Sequence, residues 1–196
     1  KMYNRGRARW NRLRPPEKTQ LHEALISEQG AICCYCCCRI KLGDSHIEHF
    51  KPQGTAAYRD QMFEYTNLLC SCQLELKSEE PKHCGVTKAK WFEDGVIVSP
   101  LDEQCENRFD YKVDGSITGL DEGAKVTCEK LALDIPKMRE LRKAAVSAIV
   151  DGLAELDDLS TEDIQYQIEV SNNRNPTTNE FMPFCIAVKK VLEKML

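Results

Sequence analysis

Five of the eleven cysteines in this 196-residue chain fall within one run, "ICCYCCCR", Ile32 to Arg39. Cys33 and Cys36 stand in C-x-x-C, the spacing at which a tight turn aims two thiolates at one tetrahedral ion. A second pair must come from Cys70, Cys72 and Cys84; Cys72 and Cys84, separated by the polar stretch "QLELKSEEPKH", are the favoured choice. Four sulfurs of this kind hold structural Zn²⁺, which would crosslink a segment too poor in apolar residues to make its own core. Three alternatives stay open. Cys34 and Cys37 form C-x-x-C in a shifted register, and cysteines also hold iron–sulfur clusters, although no familiar four-cysteine spacing for one is present. The plain alternative makes Cys34, Cys37, Cys38 and Cys70 small buried apolar residues, as Cys105, Cys128 and Cys185 are read.

Between the cysteine pairs lie "SHIEHFKP" (Ser45 to Pro52) and "YTNLLCSC" (Tyr65 to Cys72), with two of the four histidines. Cutting a phosphodiester needs a water made nucleophilic, and an imidazole that is neutral near pH 7 suits the task. It also needs charge stabilised on the phosphate and the leaving oxygen, which a hard divalent cation supplies. The competing assignment puts His46 and His49 on zinc with Cys33 and Cys36, as a non-catalytic Cys₂His₂ finger, but the spacing and helix of an ordinary finger are absent. His22 reads as a surface residue of the first helix.

Glu48-His49-Phe50-Lys51-Pro52 followed by Asn67-Leu68 resembles the HNH (ββα-metal) nucleases. The resemblance implies that His49 is the general base, that Asn67 hydrogen-bonds the loop or the imidazole, and that Glu48 is a ligand of a catalytic cation, Mg²⁺ or another divalent ion. One position departs from the pattern. The family's second cation ligand follows the last knuckle cysteine, where this chain has Gly85; His83 is the nearest substitute and His46 another, and Lys88 matches the basic residue that follows. "CCYCCCRI", "HIEHFKP", "YTNLLCSC", "HCGVTK", "VSPLDEQCENRF" and "FDYKVDGSITG" narrow the resemblance, over blocks from Arg5 to about Arg142, to the PtuB-type HNH subunit of Septu anti-phage systems, including retron-associated ones. This implies an effector endonuclease acting on DNA or tRNA, docked on a PtuA-type ABC/SMC-like ATPase oligomer, with a retron reverse transcriptase and its msDNA in some versions. The function of another class is a non-catalytic zinc-organised module that binds nucleic acid or protein.

The elements that must carry these residues can be read from pattern. "PPEKTQLHEALISEQG" predicts a helix opened by proline and stopped by Gly30. "GVIVSP" predicts a strand, and "RFDYKVDGSITGL" a hairpin with a two-residue turn at Asp114-Gly115. "IPKMRELRKAAVSAIVDGLAEL" predicts a helix with an apolar stripe at Met138, Leu141, Ala145, Ile149 and Leu153, and Ser160 with Asp163 a capping box. The expected fold is α+β: a basic arm and helix (1–30), a zinc-stapled ββα-metal nuclease module (31–120) and a mainly helical body (121–196). The composition is 42% hydrophobic and 30% charged with a net charge of −4. Those proportions are ordinary for a globular protein. No apolar run predicts a membrane span or a secretory signal, so the expected location is the cytoplasm. Lys1, Arg5, Arg7, Arg9, Arg12, Arg14 and Lys18 make the start basic, with Trp10 interleaved, whereas 151–170 holds seven acids and no Lys or Arg. Such a start suits a phosphate backbone, and charge alone equally describes a solvated surface.

Overall fold

The structure, a computed structural model, describes residues 9–74 and 79–196; Lys1, Arg5 and Arg7 of the basic arm lie outside the described residues. Helix α1 (Glu17–Glu28) follows Pro15 and Pro16 and buries Leu25, with Leu21 and Ile26 packed on the core. The chain turns away at Gly30, whose φ is +63° and where a Cβ would strike the Phe181 ring at 2.4 Å. Glycine alone takes that conformation at no steric cost. His22 is half-buried, with its Nε2 3.0 Å from the Ser45 hydroxyl, rather than on a free surface.

The first sheet is the antiparallel pair β1 (Ser45–His49) and β2 (Leu68–Cys72), in the register Ser45↔Cys72 through His49↔Leu68. Because strand side chains alternate, His46 and Glu48 share one face of β1 while Ser45, Ile47 and His49 share the other. The intervening loop is tied shut by Asn67: its Oδ1 accepts from Lys51 N–H at 2.7 Å, and its Nδ2 donates to the carbonyls of Lys51 and Gln61, each at 3.1 Å. The short helix α2 (Cys84–Lys88) packs on β2.

"GVIVSP" is irregular rather than a strand, since its Val98 N–H donates to the Thr127 hydroxyl at 2.9 Å instead of to a neighbouring strand. The second sheet is β3 (Phe109–Tyr111) with β4 (Ile117–Gly119). Its turn is longer than the expected two residues: Lys112 N–H bonds Ser116 O, and within it only Gly115 (φ +80°) is left-handed. That is the pattern of a type I turn closed by a bulge. Helix α3 (Glu122–Lys130) is capped by Asp121, whose carboxylate accepts from Ala124 N–H. Helix α4 (Pro136–Ala154) starts on proline as expected, but its buried face is rotated: Leu141 is 42% exposed and Arg142 only 2%. Arg142 is held there by the carbonyls of Gly115 (2.7 Å) and Leu133 (2.8 Å). These acceptors satisfy a buried guanidinium, as burial of a polar group demands. Helix α5 (Thr161–Asn172) carries the capping box of Ser160 and Asp163, and α6 (Cys185–Leu192) buries Val188 and Leu192. One core runs from Leu25 through Cys33, Cys70, Phe109 and Met138 to Leu192. The fold is α+β, two small sheets among helices, and among the described residues no helix is long and apolar enough to cross a membrane.

Candidate functional site

Four sulfurs organise the region around β1 and β2. Residues 32–39 fold into a tight knuckle in which Cys37 N–H reaches Cys33 O at 3.0 Å and Cys33 N–H reaches Cys38 O at 2.9 Å. Cys37 takes the left-handed conformation there (φ +60°), and Cys34 N–H bonds Cys70 O on β2. Cys72, at the end of β2, and Cys84, at the start of α2, close on the knuckle from the other side. The thiols of Cys33, Cys36, Cys72 and Cys84 are all buried and within 4.8 Å of one another. Two sulfurs about 2.3 Å from a tetrahedral zinc are about 3.8 Å apart. Cys36 Sγ and Cys72 Sγ are 3.9 Å apart. The cluster therefore fits a metal such as zinc, in the Cys33/Cys36 register rather than the Cys34/Cys37 one. Burial pushes the Cys84 thiol up, and a hydrogen bond with Cys33 pushes Cys72 up. Against its own burial, hydrogen bonds with the neighbouring thiols take Cys33 the other way, below the ordinary thiol value, and a bound cation would hold all four as thiolates. His83 belongs to this neighbourhood: its Nδ1 is 3.2 Å from Cys84 Sγ and 3.6 Å from Cys72 Sγ. A fifth thiol, Cys38, borders Cys33, Cys36 and Cys72.

Helix α2 links this cluster to a second one. Cys84 opens the helix toward the sulfurs; Lys88, one turn on, points to β1. Lys88 is 1% exposed, and its Nζ lies 2.9 Å from Glu48 Oε1 while donating to His49 O at 3.0 Å. Tyr35, inside the knuckle, donates to the same Glu48 Oε1 at 3.4 Å. Glu48 Oε2 faces His46 Nε2 at 3.4 Å. On the opposite face of β1, His49 Nε2 is 3.1 Å from the Met62 carbonyl. A carbonyl only accepts, so Nε2 carries the proton and Nδ1 keeps the lone pair. Burial lowers the His49 pKa below the ordinary imidazole value, against the Met62 carbonyl and Glu48 that raise it. Desolvation of this kind keeps the ring neutral at neutral pH. Trp10 packs edge-on against the His49 ring, with centroids 4.4 Å apart, and Phe63 touches Trp10 in turn.

Of the residues singled out from sequence, the four cysteines gather as a set, and Glu48 and His49 occupy adjacent positions on β1. Asn67 bonds the loop and not the imidazole; it holds Gln61, next to the Met62 whose carbonyl orients His49. His83 lies by the sulfurs and not beside Glu48, whereas His46 lies beside Glu48. Tyr35, Met62 and the packing of Trp10 on His49 carry no local signal in the sequence, because each reaches the site through tertiary contact.

No family model matches the chain. Over 142 residues, 68% of this chain and 66% of the relative's length, it is 25% identical to a protein of Vibrio cholerae serotype O1 biovar El Tor named "Retron Vc95 putative HNH endonuclease". That similarity supports an HNH endonuclease, a class that uses divalent metals, and it joins a buried four-cysteine cluster able to hold a metal such as zinc.

Proposed function

We propose that this chain is a metal-dependent HNH endonuclease that hydrolyses phosphodiester bonds in nucleic acid, with His49 as its general base. The observation that carries this is the His49 ring: Nε2 is committed to the Met62 carbonyl, so Nδ1 is the basic nitrogen left to act. His49 Nδ1 takes the proton of the attacking water. Asn67 fixes the loop that carries the Met62 carbonyl, and so fixes the tautomer and tilt of the base. Lys88 holds Glu48 by one oxygen and leaves the other turned toward His46. A divalent cation bound at Glu48, when present, supplies charge to the phosphate and the leaving oxygen. Four-cysteine zinc is the structural staple, setting β2, the knuckle and α2 so that Lys88 meets Glu48.

The biological setting follows the resemblance to the PtuB-type subunits: an anti-phage effector acting with an ABC/SMC-like ATPase oligomer. The retron in the relative's name supports a retron context, with a reverse transcriptase and msDNA. Substrates are DNA or tRNA. The basic arm at Arg9 and Arg12 follows the phosphate backbone, a placement supported by Trp10 lying against the His49 ring.

The test is cleavage of plasmid and of tRNA by the purified chain, with and without the ATPase. His49→Ala lowers the rate by about 10²- to 10⁴-fold, the usual contribution of a general base, with zinc content and circular dichroism unchanged. Loss of zinc and of fold in that variant would instead make His49 a structural ligand of a binding module.

A further inference from the structure

Gly85 is a residue at the candidate cation site whose type the backbone does not demand. It sits inside α2 without a left-handed φ, where alanine is the better helix former. Space explains it. A Cβ built there would lie 2.7 Å from Glu48 Oε2, 2.8 Å from His46 Nε2 and 3.0 Å from Ser71 Oγ. Three polar atoms therefore converge over a position that carries no side chain.

The two that can bind a metal are spaced for it. His46 Nε2 and Glu48 Oε2 are 3.4 Å apart, long for an N–H···O bond between them. Two ligand atoms each about 2.1 Å from one ion, at angles between square and tetrahedral, lie about 3.0–3.4 Å apart. They come from positions i and i+2 of β1, hence from one face. Glu48 Oε1 is already taken by Lys88 (2.9 Å) and Tyr35 (3.4 Å), so only Oε2 is free to ligate. His83, the other histidine close in sequence, is occupied at the sulfurs.

We propose that His46 Nε2 and Glu48 Oε2 are the two protein ligands of the divalent cation, that Gly85 is required as the space for it, and that the imidazole makes it a site for a first-row transition ion such as Mn²⁺ in preference to Mg²⁺. This rests on the assignment of Glu48 as a cation ligand in the nuclease proposal. Nitrogen ligation favours Mn²⁺ and its heavier neighbours over Mg²⁺, which prefers oxygen throughout, and the Lys88 charge beside Glu48 weakens what a carboxylate alone can offer.

The experiment uses the zinc-loaded full chain, so that the sulfurs are filled, and titrates Mn²⁺ while following the paramagnetic resonance signal of the free ion, with Mg²⁺ added as competitor. The wild type binds Mn²⁺ at least tenfold tighter than Mg²⁺, and bound Mn²⁺ shows ¹⁴N modulation from a directly bonded imidazole. His46→Ala weakens Mn²⁺ at least tenfold, leaves Mg²⁺ within threefold, and abolishes the ¹⁴N modulation, which His49→Ala retains. Gly85→Ala, with both ligands intact, loses Mn²⁺ as His46→Ala does. Zinc content and circular dichroism establish that each variant is folded, and the ¹⁴N modulation of the wild type tests the ligand without any variant. Modulation that survives His46→Ala, or Mg²⁺ bound as tightly as Mn²⁺, overturns the proposal. If the chain cuts nucleic acid while His46→Ala leaves Mn²⁺ binding unchanged, the ligand assignment alone falls; if Mn²⁺ binds as stated and nothing is cut, the nuclease proposal alone falls.

Discussion

Lys88 shows how much a single buried charge commits the surrounding structure. Its ammonium has no exposed surface in its side chain and is matched by Glu48 at 2.9 Å and the His49 carbonyl at 3.0 Å. A pair of this kind gains little over an apolar pair of the same volume, because desolvation offsets most of the attraction; removing one member alone strands the other. Lys88→Met therefore destabilises the protein by about 3–5 kcal/mol, read as a lower urea midpoint. Lys88→Met combined with Glu48→Gln recovers part of that loss, since the stranded carboxylate is gone. The same reasoning explains why Glu48 is a poor structural choice and a good chemical one: the chain commits a buried lysine to one of its oxygens and leaves the other turned to His46.

At the scale of the elements, the two faces of β1 divide the chemistry. Alternation sends His46 and Glu48 toward α2 and His49 toward Met62 and Trp10, so the candidate base does not compete as a ligand for the candidate cation. The second hairpin is secured differently, through Asp134. Burial alone would push its carboxyl up, but Arg139 donates to both oxygens, Ile117 N–H to Oδ1 at 3.0 Å, and Arg142 stands 3.5 Å away, so the pKa lies below the usual carboxylate range. A carboxyl depressed in the folded state adds stability above its unfolded pKa of about 3.9, and that stability is lost as the pH falls through the folded value. Asp134→Asn is thus less stable than the wild type at pH 7 and loses less between pH 5 and pH 2. Chemical denaturation across that interval gives the two slopes.

For the whole molecule, the sulfur cluster matters because of where it lies in the core. Cys33, Cys36, Cys72 and Cys84 pack in the same continuous interior as Leu25, Phe109, Met138 and Leu192, so no boundary insulates the C-terminal helices from the metal site. Structural zinc in small sites contributes about 10–16 kcal/mol of apparent binding energy, as much as the entire net stability of about 5–15 kcal/mol expected of a domain. Stripping the metal with a strong chelator therefore unfolds the chain cooperatively: helical circular dichroism, which arises mostly from α3 to α6, falls with zinc release, and both return on adding Zn²⁺. Retention of that signal in the stripped protein would show that the helices stand without the metal.

Local grammar was enough for what depends on neighbours in the chain. The C-x-x-C spacing marked the knuckle but not which of its two registers gathers with Cys72 and Cys84, Pro136 marked the start of α4, and Ser160 with Asp163 announced the cap of α5. Each is a matter of residues within about one turn. What depends on a partner distant in sequence was decided only by tertiary packing. "GVIVSP" has strand-forming residues but found a threonine hydroxyl instead of a strand; Arg142 displaced Leu141 from the buried face of α4 because two carbonyls awaited it. Whether His46 or His83 stands beside Glu48 likewise rested on how α2 docks against β1, since that docking delivers Lys88 and the open side of Gly85 to the carboxylate. Hydrogen bonds and ion pairs act over a few ångströms in space. Only the folded chain brings Glu48 and Lys88, far apart in sequence, within that reach.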